Sequence, residues 1–280
     1  TGTSGTVSNT AVGYQAGVAV TKGRYNTIMG KTALFTDDVG DGSTAIGYAS
    51  LYAQNSDSDN EATGNTGVGY YSGVYNVTGQ NNTYLGYQAG LGVSTKSHSG
   101  CVFIGTNAGL TAYTGDNNIA IGHGAMDDVD ADATVGGSVN NVFIGTDSGG
   151  GTWVTAASSY NVAVGHNTIE GALNGALYNA ALGQNALQSI TTANGNVGLG
   201  NSAMSLTTTG QSNVAIGAYD GTTNAAMRGN VSANQCVAIG TGAMAGVSTQ
   251  DGTIAIGYKS LTALTSGANN LAIGYQALAA

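Results

Sequence analysis

The sequence contains no proline and very little charge. Charged residues make up 8% of its 280 residues, only six of them are basic, and the net charge is −9. Because the six lysines and arginines are scattered, no basic stripe can neutralise phosphates, and nucleic acid is not an expected partner. No apolar run approaches the roughly 20 residues of a membrane-spanning helix, so we expect no membrane insertion.

Glycine is abundant instead, with 47 residues, more than double its average share of about 7%. No collagen-like triplet period accompanies it, and aliphatic residues are too plentiful for a disordered linker. Glycines beside evenly spaced Val, Ile and Leu predict tight turns between short strands. We therefore expect an all-β fold.

An internal repeat decides the fold class. A glycine preceded by an aliphatic residue recurs along the chain, and eight of the fourteen gaps between these anchor glycines are 17 residues, the others being longer. A fixed minimum with occasional additions indicates coils with loop insertions. We predict one repeat domain over residues 1–280, a parallel β-solenoid of about fifteen 17-residue coils. The anchor glycines are Gly13, Gly30, Gly47, Gly69, Gly86, Gly105, Gly122, Gly145, Gly165, Gly183, Gly200, Gly217, Gly240, Gly257 and Gly274.

Each coil contains a short strand just before its anchor glycine. The residue before the anchor is always aliphatic, and the residue three before it is Thr in the first five coils and mostly Val, Ile or Leu afterwards. These two positions share one strand face, which we predict to be buried. The residue between them, usually Ala but Tyr84, Phe103 or Phe143 in places, faces the other way. Because each coil is thin, we also expect a second face to be buried against other copies.

A resemblance follows from the anchor motif. Asn213-Val-Ala-Ile-Gly-Ala218 resembles the head repeat of YadA-like trimeric autotransporter adhesins, and Asn9-Thr-Ala-Val-Gly-Tyr-Gln-Ala-Gly17 is similar to the Asn-Thr-Ala-Ile-Gly-Tyr-Gln-Ala-Leu arrays of phage tail-fibre proteins. The resemblance covers the whole chain, although the adhesin head has a shorter period. It implies a left-handed β-roll in which three chains pack side by side into a fibre.

The resemblance also implies a function. We expect a structural shaft and host-attachment protein of a phage virion, at the virion surface or extracellular, whose partners are fibre or baseplate proteins and a host glycan or receptor. The alternative is a bacterial surface adhesin or extracellular filament of the trimeric autotransporter type. A third interpretation is an ice-binding solenoid, since Thr and Ala on a flat β-face can order water. The chain begins at Thr1 without a signal peptide, which suggests a processed chain or an excerpt.

No set of side chains indicates catalysis. The three histidines, at positions 98, 123 and 166, fall in different coils, too far apart for a metal site or a triad, and we predict no enzyme.

Cys101 and Cys236 replace a repeat Asn that precedes the anchor by four residues in eleven coils. Their separation of seven coils exceeds the roughly 7 Å reach of a disulfide, so we predict buried free thiols. Tyrosine follows the anchor in six coils, which favours a stacked ladder over a ligand platform.

Acidic side chains cluster in two of the longer gaps. Alternating carboxylates can form an oxygen cage for Ca²⁺, which is the only cofactor we consider. The other interpretation is a solvated loop kept soluble by its charge, because neither cluster has the glycine of an EF-hand loop. The candidate ligands are Asp57, Asp59 and Glu61 in one gap and Asp128, Asp130 and Asp132 in the other.

The longer gaps are also where we expect recognition, because loops on a rigid scaffold often carry binding. They comprise segments 54–60, 126–137, 150–159 and 224–234. An aromatic side chain beside polar ones suits stacking on a sugar, and the candidates for contact with a receptor or glycan are Trp153 and Arg228. Tolerated insertions without a binding role are the alternative.

Overall fold

The computed structural model describes residues 8–59, 61–94, 96–111, 115–128, 137–153, 156–222, 224–246, 249, 251–263 and 267–279. Over these residues it contains no helix with the length and apolar character needed to cross a membrane. Its fifteen strands each have three residues and end directly before an anchor glycine. They are β1 (Thr10–Val12), β2 (Thr27–Met29), β3 (Thr44–Ile46), β4 (Thr66–Val68), β5 (Thr83–Leu85), β6 (Val102–Ile104), β7 (Ile119–Ile121), β8 (Val142–Ile144), β9 (Val162–Val164), β10 (Ala180–Leu182), β11 (Val197–Leu199), β12 (Val214–Ile216), β13 (Val237–Ile239), β14 (Ile254–Ile256) and β15 (Leu271–Ile273).

The chain divides into two compact units, Thr1–Asn140 and Asn141–Ala280. The first contains β1–β7 and the second β8–β15. Within each unit every strand pairs in parallel with the next strand of the chain. One repeat is therefore one turn, and equivalent residues of successive turns lie side by side. The predicted all-β, parallel β-solenoid is confirmed in both units.

The middle residue of each strand fills the interior of the coil. From β2 to β15 this residue is buried, whereas both outer residues are partly or fully exposed in every strand. The prediction that the Val, Ile and Leu positions form the buried face is therefore wrong. The reason is the direction in which the chain turns, since the segment that returns after each strand covers the middle residue with side chains such as Leu34 and Leu187 and leaves the outer residues uncovered.

A second inward position lies four residues after the anchor in most coils, and in several of them its size complements the strand. Phe103 is the inward residue of β6, and the second position of that coil is Gly109, where an added Cβ would lie 2.6 Å from the Phe103 ring. In the β10 coil the strand supplies only Ala181, and the second position is Leu187, which is fully buried. In these two coils the inward positions thus exchange volume, which keeps the interior close-packed.

The anchor glycines form a second ladder of their own. Their φ angles lie between +122° and +154°, a region that side chains other than glycine's rarely adopt. Within each unit an anchor also lies against the next one, so a Cβ on Gly47 would stand 2.3 Å from the carbonyl oxygen of Gly69. Both the backbone conformation and the close approach therefore require glycine.

The repeat Asn side chains connect successive turns. The backbone N–H of Asn82 donates to Asn65 Oδ1 at 2.9 Å, and its Nδ2 donates to the carbonyl oxygen of His98 at 2.9 Å. Asn82 Nδ2 also donates to Asn65 Oδ1 at 3.0 Å. These buried amides satisfy backbone groups at the corner of the coil that would otherwise lack partners.

The two cysteines take the place of this Asn, and both are buried free thiols as predicted. The Cys101 thiol donates to the carbonyl oxygen of Gly115 at 3.3 Å and accepts from the N–H of Asn118 at 3.4 Å. The thiol thus replaces the two hydrogen bonds that the repeat Asn side chain makes, one accepted and one donated, with weaker ones. Burial raises the pKa of Cys101 to about 12 and also raises the pKa of Cys236.

Candidate functional site

The outer residues of the strands form a surface that we call the strand face. In β8–β15 all outer residues are Val, Ile, Leu or Ala, and none is buried. Leu182 is 53% exposed, Ile216 37% and Ile273 65%. Monomeric soluble proteins rarely expose apolar patches larger than a few hundred Å². A parallel row of aliphatic side chains along a whole sheet is therefore typical of an interface.

In β1–β5 the strand face is mixed. The first outer residue is Thr in each strand and the third is Val, Met, Ile or Leu. The threonines lie in register from Thr10 to Thr83, and all are partly or fully exposed. This part of the face can hydrogen-bond water, unlike its continuation in β6 and β7.

A ladder of tyrosines borders the strand face, directly after the anchor glycines. The predicted stacking is confirmed, and Lys31 occupies the equivalent position between two tyrosines, with its Nζ 6.0 Å from the Tyr14 ring centroid and 5.7 Å from that of Tyr48. The ladder is on the surface. Its stacked pairs are Tyr48–Tyr70 at 5.1 Å, Tyr70–Tyr87 at 5.4 Å and Tyr258–Tyr275 at 5.4 Å between ring centroids.

A concave site, which we call the tyrosine groove, lies beside this ladder. It has a volume of about 440 Å³, and the rings of Tyr52, Tyr71 and Tyr75 line it together with Val74 and Gln88. These tyrosines occupy different positions of two neighbouring coils, so the repeat pattern alone does not bring them together. Sequence reasoning missed the groove, although the five tyrosines from position 70 to position 87 were a signal that could have indicated it.

A second, more polar groove lies in the other unit, with a volume of about 410 Å³. Arg228 and Tyr219 line it together with the amide side chains of Gln184, Asn201 and Asn224. Arg228 Nη1 donates to Asn224 Oδ1 at 3.5 Å. Arg228 therefore lies where a ligand could be held, and its contact with a receptor or glycan stays a prediction.

Trp153 cannot be the exposed aromatic that the sequence suggested. Its side chain is fully buried, its Nε1 donates to the carbonyl oxygen of Gly149 at 3.0 Å, and its ring packs against Phe143. Gln54, the first residue of another predicted recognition segment, is buried as well and donates to Asp37. Both insertions therefore return side chains to the core, because a thin coil gains apolar or hydrogen-bonded contacts from them.

The first acidic cluster does not converge on one point. Asp59 pairs with Lys22 at 2.5 Å, while Glu61 accepts from the backbone N–H of Asp57 at 2.8 Å and from Gln80. These partners occupy oxygens that a Ca²⁺ cage would need. The carboxylates of Asp59 and Glu61 are thus engaged with other partners, which favours the interpretation as a charged loop.

The second acidic cluster falls largely outside the described residues. Asp128 is half-buried, whereas Asp130 and Asp132 lie in the part that the structure does not describe. Across the described ranges, no group of three or more His, Cys, Asp or Glu side chains is placed to hold a metal ion.

One histidine lies inside the fold. His98 is buried, and its Nε2 is 2.7 Å from the Tyr84 hydroxyl, while its Nδ1 is buried without a hydrogen-bond partner among the described residues. Burial lowers the pKa of His98 from 6.5 to about 4. The imidazole is therefore neutral at pH 7 and belongs to the core.

This histidine should make the fold sensitive to acid. Between pH 6.5 and 4 the unfolded chain binds a proton at position 98 that the folded chain does not bind, so the free energy of unfolding should fall by about 3 kcal/mol as the pH drops through that window. Urea unfolding at a series of pH values measures this. His98→Gln can still bond Tyr84 but does not titrate, and its curve should lack that part of the fall. Parallel curves for the two proteins would assign the acid sensitivity to carboxylates instead.

Comparison with known proteins adds no relative. Neither a scan against protein-family models nor a search of the curated proteins finds a match to this chain. The strand face and the two grooves are therefore the features from which a function can be inferred.

Proposed function

We propose that this chain is a structural shaft and host-attachment protein that assembles side by side into a homotrimeric fibre, as in a phage tail fibre. The observation that carries the proposal is the strand face. Its aliphatic side chains point away from the core in both units, and no other described part of the single chain covers them. The left-handed roll and the number of three chains follow from the family resemblance.

The energetics favour association. Fully burying one Val, Leu or Ile contributes roughly 1.5–3 kcal/mol, and each coil of the second unit presents two aliphatic outer residues. Covering half of that exposed surface would contribute on the order of 2 kcal/mol per coil per chain. An assembly would therefore add buried apolar area on the strand face to the area that each coil already buries in its interior.

The attachment role uses the surfaces that remain. The tyrosine groove and the polar groove with Arg228 are built from residues other than the outer strand residues, so both would stay open in a fibre packed through its strand faces. The fibre would hold them away from a particle, at the virion surface or in the extracellular space, where a host glycan or receptor binds. In this proposal the protein has no catalytic activity, and other fibre or baseplate proteins bind its ends.

The test is the solution mass of the chain, measured by light scattering on a sizing column. Three chains of 27.5 kDa give 82.5 kDa, and we expect that mass. Ile216→Glu places a charge on the strand face, where desolvating it would oppose packing, and should give a 27.5 kDa species.

The matched control is Gln211→Glu, which introduces the same charged side chain at an exposed polar position of the same coil. This variant should remain trimeric. Circular dichroism checks that both variants are folded, and Ile216 is already 37% exposed in the single chain, so its replacement should leave the coil intact. A wild-type monomer would overturn the fibre proposal.

Two other functions share part of this support. A surface adhesin of the trimeric autotransporter type would use the same strand face, and the genes and segments that surround the repeat distinguish it from a virion fibre.

The row of outward threonines on β1–β5 favours an ice-binding role. Thermal hysteresis tests that role, and its absence would eliminate it. Bulky neighbours such as Met29 and Leu85 interrupt the flat polar row, which weakens this candidate.

A further inference from the structure

We infer that the tyrosine groove binds a neutral carbohydrate about the size of a disaccharide. The inference rests on the proposed attachment role for its biological purpose, but the binding itself is a property of this groove. A volume of about 440 Å³ falls within the range of roughly 300–1,000 Å³ that is usual for small-molecule sites.

The chemistry of the lining selects the ligand class. The groove presents aromatic faces from Tyr52, Tyr71 and Tyr75, and its polar groups are hydroxyls and the Gln88 amide. A pyranose ring has the complementary surface, with an apolar C–H face that stacks on an aromatic ring and hydroxyls that bond to amides and phenols. No lining residue carries a charge, which favours a neutral ligand over a phosphate, a carboxylate or an ammonium group.

The aromatic walls are held in place before any ligand binds. The Tyr52 ring stacks on Phe35 with 4.9 Å between centroids and an angle of 3° between planes. Tyr71 leans against both Tyr48 and Tyr70, with centroids 5.3 and 4.3 Å apart. Hydrogen bonding to Tyr48, and then to Tyr70, raises the pKa of Tyr71 to about 12. Rings that are already fixed lose little conformational entropy on binding, which favours affinity.

The backbone fixes the positions of these side chains as well. Tyr71 has a φ of +58°, and its N–H donates to the carbonyl oxygen of Tyr48 in the previous turn at 3.0 Å. The N–H of Tyr75 donates to the carbonyl oxygen of Leu91 in the next turn at 2.9 Å. The groove is therefore built on solenoid turns and not on one of the long insertions, which gives it the rigidity of the scaffold.

A second copy of this chain is a weaker candidate for the occupant. Side-by-side packing of solenoids needs an extended surface, and within each unit the strand face is one, because the outer residues of successive strands lie in register. The groove is concave, its lining comes from only four of the coils, and it combines Val74 with the hydroxyl and amide groups of Tyr75 and Gln88. These features suit a small polar ligand that inserts into the surface.

The test is saturation-transfer difference NMR on the intact chain with the neutral disaccharides maltose, lactose and N,N′-diacetylchitobiose. We expect at least one of them to receive saturation. Tyr75→Ala removes a ring that is 39% exposed, and Gln88→Leu removes the amide at similar volume. Each change should weaken the binding of that sugar at least tenfold. Tyr25→Ala removes a tyrosine of the same unit that is 60% exposed and does not line the groove, and this variant should bind like the wild type.

The inference is overturned if none of the three sugars binds, or if Tyr75→Ala and Gln88→Leu bind as well as Tyr25→Ala. It is also overturned if the Tyr75 change alters the solution mass, because the groove would then be a contact between copies. Light scattering on the same samples separates the two proposals. If the protein is a trimer but binds no sugar, only the assignment of the groove is wrong. If it is a monomer that binds sugar through Tyr75, only the fibre proposal is wrong.

Discussion

Gly47→Ala should destabilise the fold by about 4 kcal/mol or prevent it from forming. Gly47 has a φ of +130°, where an L side chain is strained. A Cβ there would lie 2.3 Å from the carbonyl oxygen of Gly69, and this neighbour is backbone of the next turn, so it cannot move without breaking the ladder. Urea unfolding followed by circular dichroism measures the loss.

The matched control lies five residues earlier in the same coil. Gly42 also has a positive φ, +75°, but nothing lies within 4 Å of the Cβ that an alanine would add there. The equivalent position of the preceding coil is Tyr25, with a φ of +61°, so the turn accepts a side chain. Gly42→Ala should therefore lower the free energy of unfolding by no more than about 1 kcal/mol. Equal losses for the two variants would show that backbone conformation alone, and not the close approach of turns, requires the anchor glycine.

Phe103→Ala should lower the free energy of unfolding by about 3–5 kcal/mol, as expected for the loss of a fully buried aromatic side chain. Gly109→Leu alone should be equally severe, because even its Cβ would lie 2.6 Å from the Phe103 ring. The two changes together should restore stability. They recreate the pairing of Ala181 with Leu187, and Leu187 has a φ of +51°, close to the +61° of Gly109.

The double variant is measured by urea unfolding in a double-mutant cycle. It should be more stable than Gly109→Leu alone, with a coupling energy of at least about 2 kcal/mol. Combining Phe103→Ala with Gly149→Leu is the control, because Gly149 faces Phe143 in the other unit, and the two losses should simply add. If Phe103→Ala with Gly109→Leu is also additive, the two inward positions do not share one space.

The strand positions were predictable from the sequence because the anchor is a local signal. An aliphatic residue before a glycine that must adopt a positive φ marks the end of each strand, and all fifteen strands end there. The Asn positions were predictable for the same reason, since the Asn always lies four residues before its anchor and its amide bonds the neighbouring turn. The buried thiols followed from their place in that Asn row.

The candidate sites were less accessible to sequence reasoning. Trp153 was assigned to the surface because it lies in a long gap, yet its indole enters the core beside Phe143. The tyrosine groove needs Tyr52, Tyr71 and Tyr75 to meet across two coils, at three different positions of the repeat. No single column of the repeat contains them, so only the stacked turns bring them together.

The sequence by itself determined the coil length, the strand ends and the residue types of the two ladders, because each depends on contacts that recur at every repeat. It did not determine which strand face is the core. Alternation assigns residues to two faces, but here both are apolar, one with Ala and aromatic residues and the other with Val, Ile and Leu. The direction in which the chain returns after each strand decided between them, because the returning segment covers the middle residue and leaves the two outer residues of the strand on the other side.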